Sequence, residues 1–210
     1  MRLVREIREI EDQRPDILVL TGNGKTETRI LSALCEKYNG KAKFLWFPET
    51  PIRRGLKETG FKALHAIGVY LTKYKLKRFL FLVDREHFKG TEQTEQEAVN
   101  AHLRKELKAK IETTCEHLPG RAFTTKGCLG NHPFEVCTVI FGTTLKIEEE
   151  ISELIRLKFG TQVNPDKAEI NRFLRKREKR LENLIAGASK RHLEKAFIGL
   201  CSALKKMEEN

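Results

Sequence analysis

Apolar residues along this chain fall into two patterns that take turns. Short unbroken runs lie within Asp16–Leu20 (DILVL), Lys43–Phe47 (KFLWF) and Phe79–Val83 (FLFLV). Runs that short, without polar alternation, predict strands buried on both faces of a parallel sheet. Between them apolar residues recur at helical spacing. One helix is predicted from Thr26 through Ile30, Leu31, Leu34, Cys35 and Tyr38, closed by Asn39-Gly40. Another carries Phe61, Leu64, Ile67, Gly68 and Leu71 and runs to about Lys75. A third starts from the acid-rich stretch Thr91–Glu95 and runs to about Ile111, with Val99, Leu103 and Leu107 on one face. Near the start, Leu3, Val4, Ile7 and Ile10 predict a short helix over 2–12, broken by Pro15.

The second half reads differently. Leu118-Pro119-Gly120 is a turn and Ala122-Phe123-Thr124 a short strand. Lys126–Pro133 reads as a glycine-rich loop, and Phe134–Phe141 (FEVCTVIF) as strand or buried helix. Ile147–Phe159 is a helix ended by Gly160, and another starts after Asn164-Pro165-Asp166. Its apolar pattern, from Ile170, Phe173 and Leu174 to Leu181, Leu184 and Ile185, continues through the charge run Arg175–Arg180, which predicts a basic helix around 172–180. Arg191–Met207 is a last amphipathic helix. Alternating strands and helices predict an α/β fold, a parallel-sheet, Rossmann-like core over 1–145 with a helical, basic C-terminal extension over 146–210. The strand ends at Leu20, Phe47 and Val83 should lie along one edge of the sheet, where ligands of open α/β sheets bind.

Composition narrows the class. The hydrophobic fraction of 40% supports a packed core, and no apolar stretch approaches the roughly 20 residues that span a bilayer. The N-terminus lacks an apolar signal segment, so the expected location is cytoplasmic, with no membrane partner. The five cysteines form no C-x-x-C pair and are expected to be free thiols. A net charge of +11 and a pI near 9.5 point to a polyanionic partner, in the first place nucleic acid, DNA or RNA.

Candidate chemistry gathers at the predicted edge. The apolar run 79–83 gives way at once to Asp84-Arg85-Glu86-His87. Two acids at i, i+2 beyond a central strand can reach one hard divalent cation, although solvated loop acids would look the same. Thr21-Gly22-Asn23-Gly24-Lys25-Thr26 is a tight turn whose amides can face an anion. It is not a Walker A loop, which needs a glycine where Val19 stands. Arg53 and Arg54, after the strand at Lys43–Phe47, are placed for phosphate. Arg85, His87, Arg175 and Lys176 are further phosphate candidates. Cys115, His117, Cys128, His132 and Cys137 are zinc-type residues, but their spacing fits no paired zinc pattern, and Cys137 reads more simply as a core thiol.

Three stretches taken together resemble the Toprim fold of the OLD-like and RloB-like nuclease group. Leu18–Glu27 is similar to the strand and Glu-Gly-x-Thr-Glu loop of that group, Val83–His87 to its later Asp-x-Asp strand end, and Asn131–Cys137 to its Asn-Pro-x-Phe-Glu-x-Trp segment, with Cys137 in the place of Trp. The resemblance implies a Toprim-like core and a nucleic-acid-acting enzyme, a nuclease using Mg²⁺ or Mn²⁺. Asp84 and Glu86 would hold the metal, Lys25 and Arg53 would hold phosphate, with Asn23 and Gly24 in the same loop, and Glu135 would be a third acid. The chain departs from the pattern where the first glutamate, the expected general acid/base, falls on Asn23. Proton transfer would then need Glu27, Glu49 or Glu135, of which Glu27 is expected to point along its helix. The alternative is a catalytically inactive module that binds nucleic acid or a protein partner.

Overall fold

Strand Arg78–Asp84 is the middle of a mixed sheet whose order follows from the pairing on either side of it. The computed structural model describes residues 1–5, 14–21, 25–37, 43–48, 60–90, 92–144 and 146–209. The strands are β1 (Arg2–Val4), β2 (Ile17–Thr21), β3 (Phe44–Trp46), β4 (Arg78–Asp84), β5 (Lys110–Leu118), β6 (Ala122–Leu129) and β7 (His132–Phe141), in sheet order β1-β3-β2-β4-β7-β6-β5. Neighbours from β1 to β7 run parallel, and β6 and β5 are added antiparallel. The carboxyl ends of β2, β3 and β4 therefore do share one edge, as the strand pattern predicts.

Both faces of the sheet are covered, which is why its strands show no polar alternation. From β4, Leu80 and Leu82 join one apolar cluster and Phe79, Phe81 and Val83 the other. Helix α1 (Lys25–Lys37) covers the first face together with α4 (Glu148–Phe159), α5 (Lys167–Arg175), α6 (Leu181–Ala186), α7 (Lys190–Ala196) and α8 (Ile198–Glu209). The C-terminal helices thus pack back onto the sheet: Leu154, Ile155, Leu193, Phe197 and Leu204 share a cluster with Val19 and Leu80. A 3₁₀ turn (Gly60–His65), α2 (Ala66–Lys73) and α3 (Glu95–Leu107) cover the second face.

Several elements differ from the sequence expectation. Arg2–Val4 is a strand paired with β3, not the start of a helix; 6–13 lie outside the described residues. Helix α3 begins at a capping box, Thr94 with Glu97, but ends four residues early, at Lys108 with φ 56°. Ile111 then belongs to β5, an element the periodicity did not separate from the helix. The glycine-rich stretch is mostly strand. Leu129 pairs with His132 across Gly130-Asn131, with Gly130 at φ 59°, as a type II′ hairpin requires at its first turn residue. The basic helix stops at Arg175. Glu178 adopts φ 53° and the Lys179 amide reaches back to the Leu174 carbonyl, closing the helix where six consecutive charged residues offer nothing to bury. The last helix is two, α7 capped by Ser189 and α8.

Candidate functional site

Two helix N-termini converge on the end of β4. Asp84 is the last residue of that strand and pairs in register with Phe141 at the end of β7. Its Oδ1 accepts a hydrogen bond from the Ile147 amide at 3.1 Å, at the N-cap of α4. Glu27 stands in the first turn of α1 and Glu148 in the first turn of α4. Positive helix ends favour such acids, and the Ile147 amide favours ionised Asp84. Burial opposes both, and the charges of Glu27, Glu148 and Glu86 add to it. The Asp84 carboxyl is pushed up to about 7. Burial and Glu148 push Glu27 up as well, with Lys167 and His87 pulling the other way. Asp84 thus feels the charge of Glu27 across the edge.

The loop after β7 is held by acids of α4. The Gly142 amide donates to Glu150 Oε1 at 2.7 Å, and the Thr143 amide to Glu149 Oε2 at 2.7 Å. Burial pushes Glu150 up to about 7, and Glu149 and Asp84 contribute. The sequence shows Glu148–Glu150 only as helix-start acids; the signal for more is that three acids in a row exceed what one helix end uses.

The predicted residues divide into those at this edge and those elsewhere. Glu86 is at the edge, in the 3₁₀ turn Arg85–Phe88, with Oε2 3.4 Å from the Lys146 ammonium. His87 is exposed and packs over the Cα of Gly60, where an added Cβ would meet its Nδ1 at 2.6 Å. Lys25 opens α1, which puts its backbone at the same edge. Arg85 is committed to structure: Nη1 donates to the Thr143 carbonyl, and Nε lies 3.4 Å from Glu95, which also binds Arg121 at 2.8 Å. It is thus a strut between elements, not a free phosphate ligand. Glu135 pairs in register with Arg78, six residues before Asp84 on β4, about 20 Å away along the strand. It cannot act as a third acid beside Asp84, and the Asn131–Cys137 segment lies at the far edge with it. Arg175 and Lys176 are exposed at the end of α5, away from the acids. Asn23, Gly24, Glu49, Arg53 and Arg54 lie outside the described residues.

The donor set at the edge is all carboxylate oxygen, which suits a hard divalent cation that keeps several waters. Among the described residues, no three His, Cys, Asp or Glu side chains are already drawn together as a metal cage. Cys137 is a core residue, its thiol pushed up to about 12 by burial. No helix among the described residues is long and apolar enough to cross a membrane. In comparisons with known proteins, no family model, curated sequence or solved structure matches the chain.

Proposed function

We propose that the protein acts on nucleic acid as a Toprim-like, Mg²⁺-dependent (or Mn²⁺-dependent) nuclease, with Asp84 and Glu86 as metal ligands at the carboxyl edge. One observation carries the reading. Asp84 ends a central strand, where burial first and the charges of Glu27, Glu148 and Glu86 second push its carboxyl up to about 7. A buried carboxylate that feels other negative charges favours a cation that replaces its proton. A divalent ion there would supply charge stabilisation to a scissile phosphate.

The protein's own groups have separate tasks in this scheme. The Ile147 amide fixes the Asp84 carboxylate and leaves its second oxygen for the ion. Glu86, which now pairs with Lys146, would be the second residue to hold such an ion, and the Lys146 ammonium would then be available to a phosphate. Glu27 takes the proton-transfer role that Asn23 cannot fill. The second reading, a module without catalysis, is favoured by the Glu86–Lys146 pair and by Asn23 itself.

The test is incubation with labelled single- and double-stranded DNA and RNA, with Mg²⁺ or Mn²⁺, beside Asp84→Ala. Metal-dependent cleavage that falls at least 100-fold in the variant is the expected result. Equal cleavage by both proteins removes the site assignment. Salt-sensitive binding by both without cleavage selects the non-catalytic module.

A further inference from the structure

Helices α1 and α4 carry opposite charge at their two ends. Glu27 and Lys37 lie ten residues apart on α1, and Glu148 and Lys158 ten apart on α4, about 15 Å in each case. At one end the glutamates influence each other, and at the other Lys158 feels both Lys37 and Lys179. Each helix thus has an acidic and a basic end: Glu27 and Glu148 stand in the first turns, Lys37 and Lys158 in the last.

A basic corner is completed by the turn after α5. The Arg177 guanidinium lies 3.8 Å from the Phe173 ring centroid and 5.4 Å from that of Phe159. The Lys179 and Lys158 ammonium groups are 5.3 and 5.9 Å from the Phe159 centroid, and the two rings are 5.7 Å apart. The guanidinium sits over the Phe173 ring, and its donors, all in one plane, can take a phosphate with two bonds. Lys158 also donates to the Leu184 carbonyl at 3.3 Å, so its position is fixed too.

What sets this corner apart is its lack of counter-charge. On the same helices Arg156 pairs with Glu153 at 2.6 Å and Arg172 with Glu169 at 2.8 Å, and α1 pairs Arg29 with Glu182 at 3.2 Å. Among the described residues, no carboxylate lies within ion-pair distance of Lys37, Lys158, Arg177 or Lys179. One helix C-terminus accounts for one favourable lysine. It does not account for three cations drawn together over two aromatic rings, with the charge of Lys37 felt by one of them. Cations held that way repel one another until an anion joins them.

We propose that Lys37, Lys158, Arg177 and Lys179 form a binding surface for the phosphate backbone of nucleic acid, at the opposite end of α1 and α4 from the carboxylates. This deepens the nucleic-acid reading above but does not depend on cleavage. Arg175 and Lys176, on the same turn, extend the surface rather than define it.

The test is fluorescence anisotropy with a labelled single-stranded 20-mer and its duplex, in EDTA, over a series of NaCl concentrations. Metal is absent, so failure of the nuclease reading leaves the result unaffected. Arg177→Ala/Lys179→Ala should weaken binding at least tenfold. The slope of log affinity against log salt should fall by about 1.4 for the single strand and about 1.8 for the duplex. The exposed pair Lys73→Ala/Lys105→Ala, on the other face of the sheet, removes equal charge and should change affinity less than twofold. Arg177→Lys alone should weaken binding about threefold with the salt slope unchanged, since it keeps the charge but loses the planar pair of donors. Equal loss in the two double variants, or no binding by the unaltered chain, overturns the proposal.

Discussion

Asp84 keeps its proton to about pH 7 because it is buried first and surrounded by acids second. The unfolded chain loses that proton near 3.8. The folded state therefore holds more protons between about pH 4 and 7, and stability falls as pH rises through that interval. Glu150 contributes with the same sign. Asp84→Asn keeps the acceptor for the Ile147 amide and removes the charge. Its melting temperature should match the unaltered protein at pH 4 and exceed it at pH 8 by about 3 °C, corresponding to about 1 kcal/mol after screening. Added Mg²⁺ should raise the melting temperature of the unaltered protein at pH 8 and leave the variant unmoved. Differential scanning fluorimetry over pH reads both effects. Asp84 and Glu86 were visible in the sequence because a hydrophobic run stops dead in front of them. Glu148 and Glu150 were not, since only the placement of β7 beside β4 brings α4 to that edge. The resemblance made Glu135 a third acid, but it stands near the start of its strand and Asp84 at the end of its own.

At the scale of elements, turns were harder to read than strands. The runs in β2, β3 and β4 are distinctive because burial on both faces removes polar positions. The β5–β6–β7 stretch is rich in threonine, glycine and charge, so a hairpin and a loop look alike until a partner strand is known. Its turns also do different work. Gly120 has φ 78°, and an added Cβ would lie 2.5 Å from the backbone nitrogen of Gly199 at the start of α8. Gly130 has φ 59° with nothing within 4 Å of such a Cβ. Both alanine variants meet the backbone penalty of about 1 kcal/mol for a left-handed residue. Only Gly120→Ala must also push α8 away from the β5–β6 turn. Urea unfolding should show a loss of about 1 kcal/mol for Gly130→Ala and at least about 2 kcal/mol for Gly120→Ala.

For the whole molecule, the alternation of runs and periodic stretches was enough to predict an α/β sheet and a helical C-terminal region. It could not give the antiparallel additions, because strand direction depends on contacts between residues far apart in sequence. The charge-rich composition after residue 145 hides how much the helices bury. Leu200, Cys201, Ala203, Leu204 and Met207 of α8 are all buried in the cluster that includes Ala122 and Val139 of the sheet. A chain ended at Phe197 would uncover that face, at about 2 kcal/mol for each large side chain. Such a chain should lose cooperative thermal unfolding and bind a hydrophobic dye at 25 °C.

The acid edge draws on residues from Glu27 to Glu150. Between Asp84 and its partner Phe141 the chain must first build α3 and a complete hairpin. During synthesis these carboxylates emerge one by one into water, each separately ionised and far from the next. Glu27 adds its charge to Asp84 once β2 pairs with β4, and Glu148 and Glu150 join when β7 docks and α4 closes over Asp84. A growing chain halted before residue 147 carries Glu27, Asp84 and Glu86 but neither Glu148 and Glu150 nor the Ile147 amide that holds Asp84.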